Sequence, residues 1–200
     1  MEISNLSADE LLQLYHQTKD TMLQQINEEN NADAMENAEI SLQLAMLLRE
    51  PLLIAYSLNH IGLLSFRMGY QREKANMDFG RIIPESEIRA YYNRALECYN
   101  ESLRINRAYK GHDCLEAATI IANMGSFFCQ VEQYKDAEIC LKEALRIKEI
   151  RLPAEHPSLA TTRQTLVLLY QRLGEYDKAS KLIDEGLKFT EQESWLPRNI

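Results

Sequence analysis

Turn-forming residues are scarce in this chain of 200 residues, which has seven glycines and five prolines. With leucine, alanine, glutamate, glutamine and lysine abundant, that scarcity favours helices throughout. Positive charge is also short. Lys and Arg number 22 against 30 Asp and Glu, leaving a net charge of −8. Nucleic acid and anionic membrane both need a basic face, so neither is expected as the main ligand. No long apolar run is present. The most apolar window, Leu42 to Ile54, is interrupted by Arg49, Glu50 and Pro51, and no segment is expected to span a bilayer. The first residues, Met1-Glu-Ile-Ser-Asn5, lack the basic and apolar regions of a signal peptide.

Cysteine is sparse and unpaired in pattern. Cys98, Cys114, Cys129 and Cys140 form no CxxC pair, and no histidine stands near them at metal-ligand spacing. Three of the four fall within expected amphipathic helices, where a free thiol acts as a small apolar filler. No metal or other cofactor is expected. The compartment that follows is reducing and cytoplasmic, either the producing cell's own or one into which the protein is delivered. Catalytic motifs are missing too: there is no Gly-rich phosphate loop, nucleophile elbow, HExxH or EF-hand loop. The histidines at 16, 60, 112 and 156 are scattered, and His112 and His156 stand just before expected helices, as caps or packing groups would. An enzyme is not expected.

What is present is a repeat. Tyr92-Asn-Arg-Ala95, Tyr134-Lys-Asp-Ala137 and Tyr176-Asp-Lys-Ala179 are spaced by 42 residues. Each copy continues through a bulky apolar residue (Tyr99, Leu141, Ile183), a glutamate (Glu101, Glu143, Glu185), a small residue (Ser102, Ala144, Gly186) and a leucine (Leu103, Leu145, Leu187). A fixed period of this length marks stacked supersecondary units, none of which can bury its apolar face alone. Hydrophobic content of 46% is enough for one domain or one short solenoid.

Punctuation divides the chain further. Ser7-Ala-Asp-Glu10 has the form of a capping box before a first helix to about Ile26. Asn27 to Asn31 breaks it, and a second helix follows from about Ala32 to Arg49, stopping at Pro51. Ala38-Glu-Ile-Ser-Leu-Gln-Leu-Ala45 resembles Ala137-Glu-Ile-Cys-Leu-Lys-Glu-Ala144, so residues 1–51 read as a degenerate first hairpin. A second hairpin, 52–110, has a first helix ending at Gly69 and a second from about Glu87 to Tyr109. Residues 71–91 form an insertion within it, punctuated at Gly80 and Pro84. Insertions of this length tend to be functional or disordered. Phe79, Ile82 and Ile83 are costly to leave in water, which favours a contact role. A third hairpin, 111–152, opens with Asp113-Cys-Leu-Glu116, again in the form of a capping box. A fourth, 153–190, places Pro157 in the first turn of its leading helix and stops that helix at Gly174. A tail, 191–200, carries Trp195.

Tyr170-Gln-Arg-Leu-Gly174-Glu-Tyr176-Asp-Lys-Ala179 resembles the tetratricopeptide repeat family, with its aromatic, glycine, tyrosine and alanine pattern. The alanines Ala95, Ala137 and Ala179 and the small residue seven positions later are the motif positions. The long period and Glu155-His156-Pro157-Ser-Leu159-Ala160 resemble the kinesin light chain variety. The family's tryptophan is absent, Val167 stands where Gly62 and Gly125 do, and Glu132 stands where Gly174 does. The resemblance implies an all-α, right-handed α-solenoid of about four helix-turn-helix hairpins in a single domain.

It also implies that the first helix of each hairpin lines a concave groove. By position, Tyr56, Asn59, Leu63, Phe66 and Arg67 would face it from the second hairpin. Thr119, Ala122, Asn123, Ser126, Cys129 and Gln130 would do so from the third, and Thr161, Gln164, Leu168, Gln171 and Arg172 from the fourth. Asn and Gln suit an extended peptide backbone, and the aromatics and leucines suit apolar side chains. Asn123 takes the place of a ligand-holding asparagine in peptide-binding members, or is satisfied within the helix stack. Arg67 and Arg172 could pair with ligand carboxylates or serve a helix end. The basic residues at the ends of the second helices, Arg104, Arg107 and Lys110 with Arg146, Lys148 and Arg151, fit dipole compensation. The acids between Asp20 and Ala45 read as a solvated face or as a dock for a basic partner.

The expected function is a non-catalytic adaptor or scaffold that binds a peptide or helix of another protein. Two alternatives stand beside it. One is a secretion-type chaperone, which would form a homodimer through its N-terminal hairpin. The other is a regulator that answers a peptide signal.

Overall fold

A computed structural model describes residues 6–79 and 82–193. Among the described residues there are eight helices and no strand, arranged as antiparallel hairpins. The chain divides into two compact units, residues 1–111 and 112–200. The first holds α1 (Ala8–Asn27), α2 (Asn31–Leu48), α3 (Pro51–Phe79) and α4 (Glu85–Lys110). The second holds α5 (Leu115–Gln130), α6 (Tyr134–Arg151), α7 (Pro157–Arg172) and α8 (Tyr176–Glu193). No described helix is long and apolar enough to cross a membrane.

The ends of these helices follow from local chemistry. Ser7 caps α1 through a reciprocal pair: the Glu10 amide donates to Ser7 Oγ at 3.3 Å, and the Ser7 amide donates to Glu10 Oε2 at 2.8 Å. That pairing holds the Glu10 carboxyl below its usual range. Pro157 opens α7 at a position whose N–H has no intrahelical partner, and the Ser158 amide donates to His156 Nδ1 at 3.1 Å. His156 is therefore a helix cap. The left-handed residue after α7 is Gly174, with φ of 72°. At the equivalent place after α5 stands Glu132, with φ of 60°, so the turn keeps its geometry without the residue that adopts it freely.

Two expected boundaries are corrected. Asp113 does not cap α5. The cap is Cys114, whose sulfur accepts from the Ala117 amide at 3.4 Å, while Asp113 pairs with Arg146 at 2.8 Å. Gly69 does not end α3, which runs ten residues further to Phe79. A Cβ at Gly69 would lie 2.7 Å from the Tyr92 ring, so this glycine permits close helix contact rather than termination. The next stretch, Gln71 to Asp78, contains good helix formers and no glycine or proline. Most of the 71–91 insertion thus lengthens α3 and α4. The extension is fastened by Arg72 with Glu87 at 2.7 Å and by the Tyr92 hydroxyl donating to Glu73 at 2.7 Å. Asn76 pairs in both directions with the Ile83 backbone at 2.9 Å.

Cores form where the repeat motif places small residues against large ones. In the first unit Met22, Ala34, Met35, Ala38, Ile61 and Leu64 are buried together across α1, α2 and α3. In the second, Ala137, Leu141 and Leu145 of α6 meet Leu159, Leu166, Leu169 and Tyr170 of α7 and Ala179 of α8. The motif alanines Ala95, Ala137 and Ala179 are all buried, as the repeat requires. At the small position, buried Ser102 donates to the Ala55 carbonyl at 2.6 Å, tying α4 to α3.

Candidate functional site

In the second unit, α5 and α7 form the two walls of a cleft of about 450 Å³. Ser126, Cys129 and Gln130 line it from α5, and Thr165, Leu168, Leu169, Gln171 and Arg172 from α7. Six of the residues expected in the groove, Ser126, Cys129, Gln130, Leu168, Gln171 and Arg172, are therefore brought together. Leu168 is 53% exposed, a large apolar side chain facing water inside a polar rim. Thr165 and Leu169 were not anticipated. Both stand within one turn of Leu168, so helical spacing alone would have found them.

The remaining groove candidates of this unit lie elsewhere. Thr119 and Asn123 sit earlier on α5, exposed and half-buried respectively, outside that lining. Exposed Thr161 donates its hydroxyl to the Pro157 carbonyl. Gln164 lines a different cleft, formed with α8.

On α3 of the first unit, Tyr56, Asn59, Leu63, Phe66 and Arg67 are all half-buried. Several are engaged in packing. Tyr56 packs against the Met22–Leu64 core and lies 4.3 Å from the His60 ring, and Phe66 lies 6.2 Å from the Tyr92 ring. Burial lowers the His60 pKa and raises that of Tyr56.

The two arginines share one arrangement. Arg67 donates to the Ile26 carbonyl at 3.4 Å and Arg172 to the Cys129 carbonyl at 3.5 Å. In each unit, an arginine of one first helix reaches the last turn of the preceding first helix, where carbonyls lack intrahelical donors. These are long contacts. Arg172 remains exposed and lines the cleft.

Of the insertion contacts, Ile82 is 97% exposed and Ile83 is half-buried, held by Asn76. The Phe79 side chain lies outside the described residues, as does Trp195 of the tail. In the acidic segment, Glu39 pairs with Arg94 of α4, and Asp20 with Lys19 at 3.3 Å. Lys148 is not a dipole-compensating surface charge. It is buried and donates to Thr162 Oγ1 at 2.8 Å and the Ser158 carbonyl at 3.4 Å, and desolvation lowers its pKa.

Burial pushes the Cys129 thiol up, outweighing the nearby Arg172, so it is not an activated thiolate. Among the described residues, no three side chains of the metal-ligating types cluster. Hydroxyl and amide side chains that can both donate and accept surround the half-exposed Leu168.

The sequence matches the tetratricopeptide repeat over residues 92–150 and 116–192, together about half of the chain. No curated protein matches it significantly. Forty-nine chains of solved structures do. One is the crystal structure of BtubC (BKLC) from P. vanneervenii, with a TM-score of 0.50 and 18% identity, covering 97% of this chain and 91% of that one. At that identity the likeness is one of fold. The repeat match falls on the helices whose alanines are buried in register, and the chain belongs to the tetratricopeptide repeat family.

Proposed function

We propose that this protein is a non-catalytic interaction module that takes an extended peptide or short helix of a partner protein against its first helices. Tetratricopeptide repeats generally serve protein–protein contacts. The observation that carries the reading is the α5–α7 cleft, where Leu168 stands exposed among Ser126, Gln130, Thr165, Gln171 and Arg172. Leu168 is 53% exposed, so covering it contributes about half of the roughly 1.5–3 kcal/mol that full burial of such a side chain supplies. The polar rim then sets register, because each buried peptide amide needs a partner. Arg172 adds preference for a carboxylate, and a few anchors of this kind commonly dominate an interface. Tyr56, Asn59, Leu63, Phe66 and Arg67 are the corresponding candidates on α3.

The test is affinity capture with mass-spectrometric identification, comparing the wild-type chain with a Leu168→Asp, Arg172→Ala variant whose helicity is unchanged by circular dichroism. A protein retained by the wild type and lost from the variant supports the cleft as its site. Equal retention by both would remove the cleft from consideration.

A further inference from the structure

The lengthened α3 has three sides, and two of them are occupied. Ile61, Leu64 and Met68 face α1 and α2 in the core they share with Met22, Ala34 and Ala38. Gly62 and Gly69 lie against Tyr99 and Tyr92 of α4, and Arg72 and Asn76 carry that side on to Glu87 of α4 and to Ile83 just before it. The third side carries Tyr56, Leu63, Tyr70 and Met77, each seven residues after the last. Exposure rises along it: Tyr56 and Leu63 are half-buried, Tyr70 is 41% exposed and Met77 is 75% exposed. Arg67 and Lys74 each follow a member of this stripe by about one turn.

We propose that this third side of α3 binds an amphipathic helix of a partner protein, one whose apolar stripe is flanked by acidic residues. The inference rests on the interaction role proposed above and names the form of ligand that the first unit takes. Spacing selects a helix. Seven residues of α3 rise about 10 Å, which is also the rise of two turns in a helical ligand. An extended peptide returns side chains to one face roughly every 6.5–7 Å and soon falls out of step with the stripe. On a straight helix a seven-residue spacing drifts by about 20° per step, so the stripe winds slowly around α3, as a partner helix wrapped against it does. Length agrees. The stripe runs about 31 Å from Tyr56 to Met77, and its two most exposed members lie on the stretch by which α3 passes Gly69. Charge selects acids. Among the described residues of this side, Arg67 and Lys74 outnumber Asp78, since Glu73 is turned to the Tyr92 hydroxyl of α4. The side is therefore net positive on a chain of net charge −8, and carboxylates along a partner helix complement it.

The probe is a fluorescein-labelled synthetic peptide of about 20 residues, with leucines at alternating three- and four-residue spacing, glutamates beside them, and helicity verified by circular dichroism. Its fluorescence anisotropy should rise on titration with the full chain. A Tyr70→Asp, Met77→Asp variant, altered only at exposed positions, should keep its helicity and bind the peptide at least about tenfold more weakly. Lys74→Glu should weaken that binding severalfold. It should also strengthen binding of a second peptide with lysine in place of glutamate, which the wild-type chain holds less well. No binding of the first peptide, equal binding of the two, or binding that neither variant moves would overturn the proposal. So would binding lost from the Leu168→Asp, Arg172→Ala chain but kept by the α3 variants. That result assigns the peptide to the α5–α7 cleft and leaves the interaction role standing. Tighter binding of a proline-interrupted peptide of the same composition would also overturn it, replacing the helix with an extended ligand.

Discussion

The hairpins α5–α6 and α7–α8 are successive copies of one unit, yet they close differently. In α5–α6, Gly125 faces Leu141 so tightly that a Cβ on the glycine would lie 2.6 Å from Leu141 Cγ, and Leu141 is fully buried. In α7–α8, Val167 stands in the glycine's place and Ile183, at the leucine's, is 44% exposed. A residue with no side chain lets the facing residue sink between the helices; a branched one holds it out. Cover differs as well: Leu141 lies under Leu159, Leu166 and Leu169 of α7, whereas no described helix follows α8 to cover Ile183. The α3–α4 hairpin belongs with α5–α6, since a Cβ at Gly62 would lie 2.8 Å from the Tyr99 ring.

The largest test of this contrast is truncation of the facing residue. Leu141→Ala should cost about 2–5 kcal/mol, the range for a buried leucine. Ile183→Ala should cost well under that, because much of its side chain already meets water. Urea unfolding of both variants at one pH measures the gap, and equal losses would break the comparison. Filling the glycine comes next. Gly125→Val should cost about 1–3 kcal/mol through overpacking against Leu141. Leu141→Ala in the same chain should return part of that loss, read as a non-additive double-mutant cycle.

A smaller effect concerns the turns within these hairpins. Glu132 holds a left-handed φ of 60° where Gly174 holds 72°. Glu132→Gly should raise the thermal midpoint, since it relieves at most about 1–2 kcal/mol of backbone strain. The smallest effect extends the comparison to α3. Burial depresses the His60 pKa below its usual 6.5, reinforced by Lys19 and opposed by the hydrogen bond with the Tyr56 carbonyl. The unfolded chain then binds a proton more readily than the folded one. Stability is fully present above pH 6.5 and declines as pH falls through the window below it, at no more than about 1.4 kcal/mol per pH unit. Urea titrations at pH 7.5 and 5.5 should show this loss, and His60→Gln should reduce it.

Much of the fold was legible because its period and punctuation are local. The 42-residue spacing, the capping box at Ser7, Pro157 and Gly174 each act through neighbours in sequence. Gly69 was misread because a helix stop and a close approach call for the same residue, and only the position of Tyr92 separates them. Cys114 displaced Asp113 as a cap because Arg146, 33 residues away, engages the Asp113 carboxylate. The candidate site was legible in part for a similar reason. Helical spacing collects Leu168, Gln171 and Arg172 on one face, but it does not say which wall of α7 a side chain such as Gln164 will line.

The contacts of Arg67 with the Ile26 carbonyl and of Arg172 with the Cys129 carbonyl bear on affinity through entropy. An arginine ordered only on meeting its ligand loses up to about 1.5–2 kcal/mol of rotamer freedom at that moment. Here the side chain is already extended between helices, so part of that freedom is surrendered during folding. In the proposed binding mode, a ligand carboxylate would exchange with one long, weak carbonyl contact and find a guanidinium already in place, which is preorganisation.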